Sequence, residues 1–219
     1  MARFLLYYIT DRRAFPGDSS ARRNSLLAKI GEAARAGVDD IQLRETDLMT
    51  HDLEVLALNA RDRIDRSKAD SPAPRVNFLI NSRTDVAIAT GADGVHLPAD
   101  NLNPMEIRQL WKQCRADEPG TVTISVSCHS LEEVARAEAS GADLAIFAPV
   151  FEKKDAPETR PTGLGALKQA CQHKIPVIAL GGITLENASA CLDAGAAGIA
   201  GIRLFQEHNI QEIVAHLNR

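Results

Sequence analysis

One pattern occurs four times in this chain of 219 residues, and it limits the possible folds more than any other feature. An alanine-rich stretch reaches a glycine, a few residues follow, and an apolar stretch begins. The copies are AARAGVDDIQLR, AIATGADGVHLP, AEASGADLAIFAP and CLDAGAAGIAGIR, with glycines at 37, 91, 141 and 195. Each copy predicts a helix that ends at a left-handed glycine and is followed by a strand. A nearly constant interval of about 50 residues indicates a repeated supersecondary unit.

Four more strand-like segments lie between these copies, so strand and helix alternate eight times. They are FLLYYIT, RVNFLI, VTISVSC and PVIALGG. Asn103 before Pro104, and Ser130 with Glu133 three residues later, predict helix starts, the second with a capping box. Eight βα units with short loops predict a TIM-type (β/α)₈ barrel that forms a single domain over 1–219. A doubly wound parallel sheet is the alternative fold.

Composition and charge exclude several classes of function. The formal net charge is −4 and the basic residues are scattered, so a nucleic-acid partner is not expected. No apolar run approaches the roughly 20 residues needed to cross a bilayer, and the start lacks a signal-peptide pattern, so we expect no membrane partner and a cytoplasmic location. The four cysteines, 114, 128, 171 and 191, lack metal-site spacing and are expected to be reduced thiols that pack as small hydrophobes.

Side chains alternate along a strand, and this alternation predicts which residues face the inside of the barrel. Strands 2 to 5 should turn polar side chains inward near their carboxyl ends, and His129 should point at the mouth. In (β/α)₈ barrels that end carries the chemistry. The predicted inward residues are Gln42, Arg44, Asn77, Asn81, His96, Thr123, Ser125 and Ser127.

Glycines at the ends of strands 7 and 8 predict a phosphate site. PVIALGGIT and GAAGIAGIR would let backbone N–H groups approach an anion closely, and a short helix can add its dipole. The candidate residues are Gly181, Gly182, Gly201, Ile202 and Arg203. The alternative is that these glycines only make tight turns.

Taken together, the motifs resemble the thiamine phosphate synthase and TenI-like family of barrels over nearly the whole chain. The similar segments are YYITDR, IQLRE, INSRTDVAIATGADGVHLP, SVSCHSLEEVARAEASGADLAIFAPVFE, PVIALGGIT and GIAGIR. The resemblance implies an enzyme of thiamine biosynthesis that binds a small phosphorylated thiazole and forms a homodimer or larger homo-oligomer.

Two activities share this scaffold, and the synthase pattern is incomplete here. That enzyme joins a pyrimidine pyrophosphate to a thiazole phosphate with Mg²⁺, and it usually carries a Lys and two Asp where this chain has Thr46, Ser82 and Asn101, with Asp100 beside it. Losing two carboxylates should weaken Mg²⁺ binding severely. Ser82 is instead expected to be the N-cap of the following helix, with Asp85 three residues on.

The other branch, the thiazole tautomerase, resembles the chain more closely through SCHSLEEV and FAPVFEKK. This resemblance implies a reaction without metal or other cofactor, in which His129 shifts a proton to aromatise a thiazole carboxylate phosphate. A synthase with an altered site, a catalytically silent binder of a thiazole phosphate and another phosphosugar-type barrel enzyme are the alternatives. For His129 itself, a surface or capping role is the alternative.

The remaining roles follow from position in the family pattern. Gln42, Arg44 and Asn81 are predicted to bind substrate, with Arg44 suited to a carboxylate; the alternative for Arg44 is an ion pair with Glu45 or Asp47. Gly182, Ile202 and Arg203 take the phosphate-binding positions. His96 is equally compatible with a satisfied core histidine. The polar segment Glu152–Gly163 is predicted to be a lid whose Lys153 and Lys154 meet the phosphate, or else a solvated loop.

Overall fold

Eight parallel strands close into a barrel in which each strand is hydrogen-bonded to its neighbours in sequence and β8 to β1. The structure, a computed structural model, describes residues 4–69, 76–99, 103–115, 121–152 and 158–217. The strands are β1 Leu5–Ile9, β2 Asp40–Leu43, β3 Asn77–Asn81, β4 Gly94–Leu97, β5 Thr123–Cys128, β6 Leu144–Phe147, β7 Val177–Ala179 and β8 Gly198–Gly201. Closure confirms the (β/α)₈ barrel and excludes the doubly wound sheet, which would leave two strand edges.

Helices follow the strands and cover the outside of the barrel. They are α1 Ser19–Ala36, α2 Thr50–Ala69, α3 Thr84–Ala89, α4 Pro104–Cys114, α5 Leu131–Ala139, α6 Gly163–Ala170, α7 Leu185–Asp193, α8 Arg203–Gln206 and α9 Ile210–Leu217. A short 3₁₀ helix, Arg12–Ala14, precedes α1. None of the helices in the described ranges is long and apolar enough to cross a membrane.

The fourfold pattern has a structural cause at the amino-terminal end of the barrel. In the first three copies an aspartate stands two residues after the glycine, and its carboxylate accepts the backbone N–H of a residue in the preceding strand. Asp39 accepts from Leu6 at 2.9 Å, and Asp143 accepts from Ile124 at 2.7 Å. Asp93 does the same with Phe78 at 3.0 Å. Strands β2, β4 and β6 are thereby each joined to the odd-numbered strand before them.

The fourth copy has Ala197 where the others have aspartate, and it keeps only the backbone part of this arrangement. The N–H of Ala197 donates to the carbonyl of Val177 at 2.8 Å, as the N–H of each strand-start aspartate does to its own neighbour. The glycine itself is left-handed in every copy; at Gly37, for example, φ is +85° and the residue caps α1. The repeated unit is therefore a pair of βα units.

Two apolar layers hold the barrel. The larger one lies between the strands and the helices. The smaller one fills the barrel interior on the side of β6, β7, β8 and β1, and it consists of Tyr7, Ile9, Leu144, Ile146, Ile178 and Ala200. The inward positions of β2 to β5 carry mostly polar side chains, with Leu79 as an apolar exception, as the alternation predicted, so the interior is divided into an apolar and a polar half.

The helix starts match the prediction in two cases and differ in one. Asn103 caps α4, with Pro104 in the first turn, and the Ser130 hydroxyl accepts the N–H of Glu133. The predicted capping box at Ser130 is only half formed, because the Glu133 carboxylate accepts from His129 instead of Ser130. Ser82, however, does not cap α3: the N-cap is Arg83, and Ser82 adopts φ +60°. A residue in that left-handed conformation lies outside the extended region that an N-cap normally occupies, so the sequence-based assignment was wrong.

The cysteines divide by burial. All four are free thiols; Cys128 and Cys191 are buried, as expected, Cys171 is half-buried, and Cys114 is exposed, which the sequence analysis did not anticipate. Burial raises the pKa of the Cys128 thiol to about 12, so this neighbour of His129 stays protonated and unreactive.

Gly198 tests how tightly the barrel is packed where it closes. A Cβ at this position would overlap the main-chain carbonyl of Leu5, which cannot move without breaking the β1–β8 pairing. We expect Gly198→Ala to lower the free energy of unfolding by about 1–3 kcal/mol. Gly165, in α6, has open space around it, so Gly165→Ala should be neutral or slightly stabilising. Equal midpoints for the two variants in urea denaturation would contradict this account.

Candidate active site

A first row of polar side chains lies across the carboxyl ends of β2 and β3. Gln42 is 1% exposed, and its Nε2 donates to Oδ1 of Asn81 at 2.8 Å. Asn81 in turn donates through Nδ2 to Oγ of Ser82 at 3.1 Å. The Oε1 atom of Gln42 has no hydrogen-bond partner within the described chain. Since a buried, unpaired carbonyl oxygen costs free energy, this atom is suited to accept a hydrogen bond from a ligand.

A second row runs through the polar half of the barrel. His96 is 5% exposed, and its two ring nitrogens lie 2.9 Å from Oγ of Ser125 and 2.9 Å from Oγ of Ser127. Burial, with a smaller effect of the Arg44 charge, lowers the pKa of His96 to about 3. His96 is therefore a neutral imidazole with both nitrogens hydrogen-bonded, which matches the satisfied core histidine rather than an acid or base at the surface.

His129 follows β5 and is exposed at the mouth, where the alternation predicted it. Its Nδ1 is 2.8 Å from the carbonyl oxygen of Ala148, so Nδ1 donates and carries the ring proton in the neutral form. The main-chain N–H of His129 donates to the carboxylate of Glu133. In a standard capping box the donor would be the N–H of the N-cap residue, here Ser130, one residue later. The contact with Ala148 orients the ring and leaves Nε2 as the nitrogen with a lone pair.

Arg44 does not form the ion pair with Glu45 or Asp47 that was the alternative to substrate binding. Glu45 and Asp47 both bind Arg12, whose guanidinium lies 3.0 Å from Glu45 and 2.6 Å from Asp47. Arg44 is exposed, and its side chain makes no ion pair within the described chain. Because Arg12 occupies the nearby carboxylates, the Arg44 guanidinium is available to an anionic ligand.

Glu45 is the centre of the contacts that hold Arg44 in place. Its carboxylate accepts from the Thr10 hydroxyl at 2.7 Å and from the main-chain N–H of Arg12 at 3.1 Å. The Thr10 hydroxyl oxygen also accepts the main-chain N–H of Arg44 at 2.9 Å. Burial raises the pKa of Glu45 against the lowering effect of these donors. These side-chain contacts with main-chain N–H groups thereby join the ends of β1 and β2.

The ends of β7 and β8 combine a tight glycine turn with main-chain N–H groups that lack acceptors among the described residues. Gly181 and Gly182 adopt φ +99° and +66°, and a Cβ on Gly182 would overlap the Glu152 carbonyl. Tight turning is thus part of their role. In addition, the N–H groups of Gly182 and Ile202 find no acceptor in the described parts of the chain. Such N–H groups after adjacent strands are what an anion site at this end of a barrel requires.

Three predicted features at this end are placed only in part. Arg203 lies along α8 with its Nε 4.0 Å from Glu207, so its side chain follows the helix. The predicted lid begins at Glu152, and its far end is anchored by Thr162, which donates through N–H and hydroxyl to the Pro149 carbonyl at 2.8 and 2.9 Å. The remaining residues lie outside the described ranges: Asp100, Asn101, Lys153 and Lys154.

No group of three or more His, Cys, Asp or Glu side chains in the described ranges is placed to hold a metal ion. Thr46, at the position of the synthase lysine, is exposed. The Ser82 hydroxyl, at the position of a synthase aspartate, is engaged by Asn81.

Sequence reasoning missed the residues that act through partners distant in sequence. Arg12 and Glu45 were not singled out as a pair, although both lie inside motifs used for the resemblance. Tyr7 was also missed; its hydroxyl is 2.9 Å from Oγ of Ser125, across 118 residues of sequence. The signal that could have found Tyr7 is its inward register position on β1.

A closed barrel with a polar mouth on one side and glycine turns after its last two strands defines the chain as a (β/α)₈-barrel enzyme of the kind that handles small phosphorylated compounds. The family model described as thiamine monophosphate synthase matches residues 6–205. The chain belongs to this family, which includes the TenI-like proteins, and is a barrel enzyme of thiamine biosynthesis.

Relatives and solved structures agree with that membership. A thiamine-phosphate synthase of Halalkalibacterium halodurans is 36% identical over 204 residues, covering 92% of this chain and 87% of that protein. One from Methanoculleus marisnigri is 37% identical over 199 residues, covering 90% and 85%. The structure of a thiamine phosphate pyrophosphorylase from Pyrococcus furiosus superposes with a TM-score of 0.75 at 29% identity, covering 99% of this chain and 94% of that one.

Arg12 offsets the charge of the buried Glu45 carboxylate, whose side chain is 1% exposed. We expect Arg12→Ala to lower the free energy of unfolding by about 3 kcal/mol, because one member of a largely buried ion pair is left uncompensated. Arg13 is the matched control: its pair with Asp11 is solvated, with side chains 55% and 27% exposed. Arg13→Ala should change stability by less than about 0.5 kcal/mol. Chemical denaturation measures both, and similar losses would contradict the assignment.

Asp40 and His96 should compensate each other in the pH dependence of stability. Burial raises the pKa of Asp40, which accepts from Asn77, to about 7, and the pKa of His96 is lowered to about 3. Between about pH 4 and 6.5 native Asp40 holds a proton that the unfolded chain has released, whereas native His96 lacks a proton that the unfolded chain binds. The first effect lowers stability as pH rises and the second raises it.

Asp40→Asn removes the first effect and leaves the second. Relative to the native sequence, the free energy of unfolding of this variant should therefore rise by about 3 kcal/mol from pH 4 to pH 6.5. Urea denaturation across this range measures the difference. Asp62→Asn, which alters an exposed carboxylate on α2, should leave the native pH profile unchanged. An unchanged profile for Asp40→Asn would show that Asp40 is ionised in the fold.

Proposed function

We propose that this enzyme is a metal-independent thiazole tautomerase that aromatises a thiazole carboxylate phosphate, with His129 as the acid and base. The observation that carries the proposal is the ring geometry of His129. Its Nδ1 is committed to the Ala148 carbonyl at 2.8 Å, so Nε2 presents a lone pair at the exposed mouth. A tautomerisation removes one proton and returns one, and an imidazole is suited to both steps near neutral pH.

The proton balance of the reaction needs only this one side chain. Nε2 takes a proton from the ring of the exocyclic-alkene tautomer, and the electron pair of the broken C–H bond moves into the ring system. The imidazolium then returns a proton to the exocyclic carbon, which leaves the thiazole aromatic and His129 neutral. The bond to Ala148 is kept throughout, because Nδ1 remains a donor in both protonation states.

Other residues of the mouth are proposed to bind the substrate. Arg44 has no ion-pair partner within the described chain and is suited to the carboxylate. Gln42, held by Asn81, offers its unpaired Oε1 as an acceptor. Gly182 and Ile202 would bind the phosphate through their N–H groups, supported by Gly181, Gly201 and the start of α8 at Arg203. The homo-oligomer and the cytoplasmic location remain predictions from the resemblance and the composition.

Thiamine phosphate synthesis is the second candidate function, and the names of the relatives favour it. It would require Mg²⁺ to hold a departing pyrophosphate, and the described donors do not fit this ion. Mg²⁺ prefers carboxylates, whereas the hydroxyl of Ser82 stands at one expected carboxylate position and is bonded to Asn81. We therefore assign no step to a metal in this chain.

His129→Ala tests the acid and base. We expect the rate of tautomer conversion to fall by about 10²–10⁴, because the proton-transferring group is lost, while the affinity for inorganic phosphate stays unchanged. His216→Ala, an exposed histidine in α9, is the matched control and should keep the native rate. A native rate in His129→Ala would exclude the role.

Two assays on the native chain separate the candidate functions. One follows tautomer conversion without metal, and the other follows thiamine phosphate formation with Mg²⁺ and both synthase substrates. Conversion without condensation supports the proposal. Condensation at a useful rate would overturn it.

A further inference from the structure

We propose that Tyr7, Ser125 and His96 form a hydrogen-bond relay that fixes Ser127 as a hydrogen-bond donor at the barrel mouth, where it binds the carboxylate of the substrate. The relay goes beyond the assignment of His129, and its substrate part rests on the proposed function. It is carried by three consecutive side-chain contacts of 2.9 Å each, on three different strands.

The direction of the relay is set at its deep end by Tyr7. This side chain is 0% exposed and belongs to the apolar cluster that includes Leu144 and Ile178. Burial raises the pKa of Tyr7, so its hydroxyl keeps its proton. Within the described chain Ser125 is the hydroxyl's only hydrogen-bond partner. If Tyr7 accepted from Ser125, its own proton would be left unpaired among apolar side chains, which is unfavourable. Tyr7 therefore donates.

Every later bond in the relay follows from that first one. Ser125 is fully buried, and within the described chain its hydroxyl contacts only Tyr7 and His96. Since Tyr7 donates, the Ser125 proton can be paired only by donation to Nδ1 of His96. A neutral imidazole has one N–H, so the proton of His96 is on Nε2 and is donated to the Ser127 oxygen. The lowered pKa of His96 keeps the ring neutral. The hydroxyl proton of Ser127, which is only half-buried, is then free to point into the mouth.

The reverse direction would give the mouth the opposite chemistry. If Nδ1 of His96 carried the proton, the Ser127 hydroxyl would donate to Nε2. Only the lone pairs of the Ser127 oxygen would then face the ligand. Arg44 directly follows β2 and Ser127 lies near the end of β5, so a cation and a hydroxyl donor are both on the polar side of the mouth, where the Arg44 charge also contributes to the lowered pKa of His96. Two donors of this kind match a carboxylate and not a second cation.

Tyr7→Phe removes the group that sets the direction, and Tyr8→Phe is a matched control. Tyr8 is the next residue, equally buried, but it faces the helices, and its hydroxyl has no partner within the described chain. Neither change adds volume, so both variants are expected to fold.

Nitrogen-15 NMR of the histidine side chains reports which ring nitrogen of His96 carries the proton, and it needs no substrate. The His96 signals, assigned by their loss in His96→Gln, should report a single Nε2–H tautomer in the native chain and in Tyr8→Phe. Tyr7→Phe should give a mixture of tautomers. An Nδ1–H tautomer in the native chain would overturn the relay, whatever the enzyme turns out to catalyse.

Calorimetric binding tests the substrate part. Ser127→Ala should weaken binding of the thiazole carboxylate phosphate by about tenfold, the effect expected for one hydrogen bond to a charged group. Tyr7→Phe should weaken it less, by about twofold for an even mixture of tautomers, because only the Nε2–H form of His96 leaves the Ser127 proton for the ligand. The same thiazole phosphate without its carboxylate should bind native chain and variants alike. Equal weakening for both compounds would overturn the carboxylate assignment. Binding of neither compound to the native chain would contradict the proposed function and this assignment, while the tautomer result would still decide the relay.

Discussion

The joining of neighbouring strands at the amino-terminal end of the barrel is the constraint on which the rest depends. Asp39, Asp93 and Asp143 each bridge to the preceding strand through a backbone N–H, and this fixes the register of the strand pairs. A shift of one residue would turn every inward side chain outward. The polar rows at the mouth exist because these carboxylates hold the register, several residues away from any chemistry.

Register also explains why the two halves of the interior differ. The strands β2 to β5 bring Gln42, Asn81, His96 and Ser127 to one side, where hydrogen bonds fix their orientation. Strands β6 to β1 bring apolar side chains, and β7 ends in the turn formed by Gly181 and Gly182. In the proposed function, proton transfer and carboxylate recognition therefore occur on the polar side, and the phosphate is held by main-chain N–H groups on the other.

Much of this arrangement could be predicted from the sequence, because local rules govern it. Repeat spacing predicted the barrel, and strand alternation placed Gln42, Asn81 and His129 correctly. The contacts of Arg12 could not be predicted in this way: its carboxylate partners are 33 and 35 residues away, and one of them, Glu45, is shared with Thr10. The prediction that Ser82 is an N-cap failed for a related reason. Its left-handed backbone follows from how the chain leaves β3 and not from its own propensity to cap helices.

The capture of Glu45 and Asp47 by Arg12 has a consequence for how fast an anion arrives. The chain as a whole is acidic, with a net charge of −4, and would repel a phosphorylated carboxylate at long range. At the mouth, however, Arg12 and Arg44 balance the charges of Glu45 and Asp47, and because Arg12 holds both carboxylates, the Arg44 guanidinium is left to face a ligand. The overall charge thus slows the long-range approach of the substrate, and added salt screens this repulsion, whereas capture at the mouth depends on one guanidinium acting at short range.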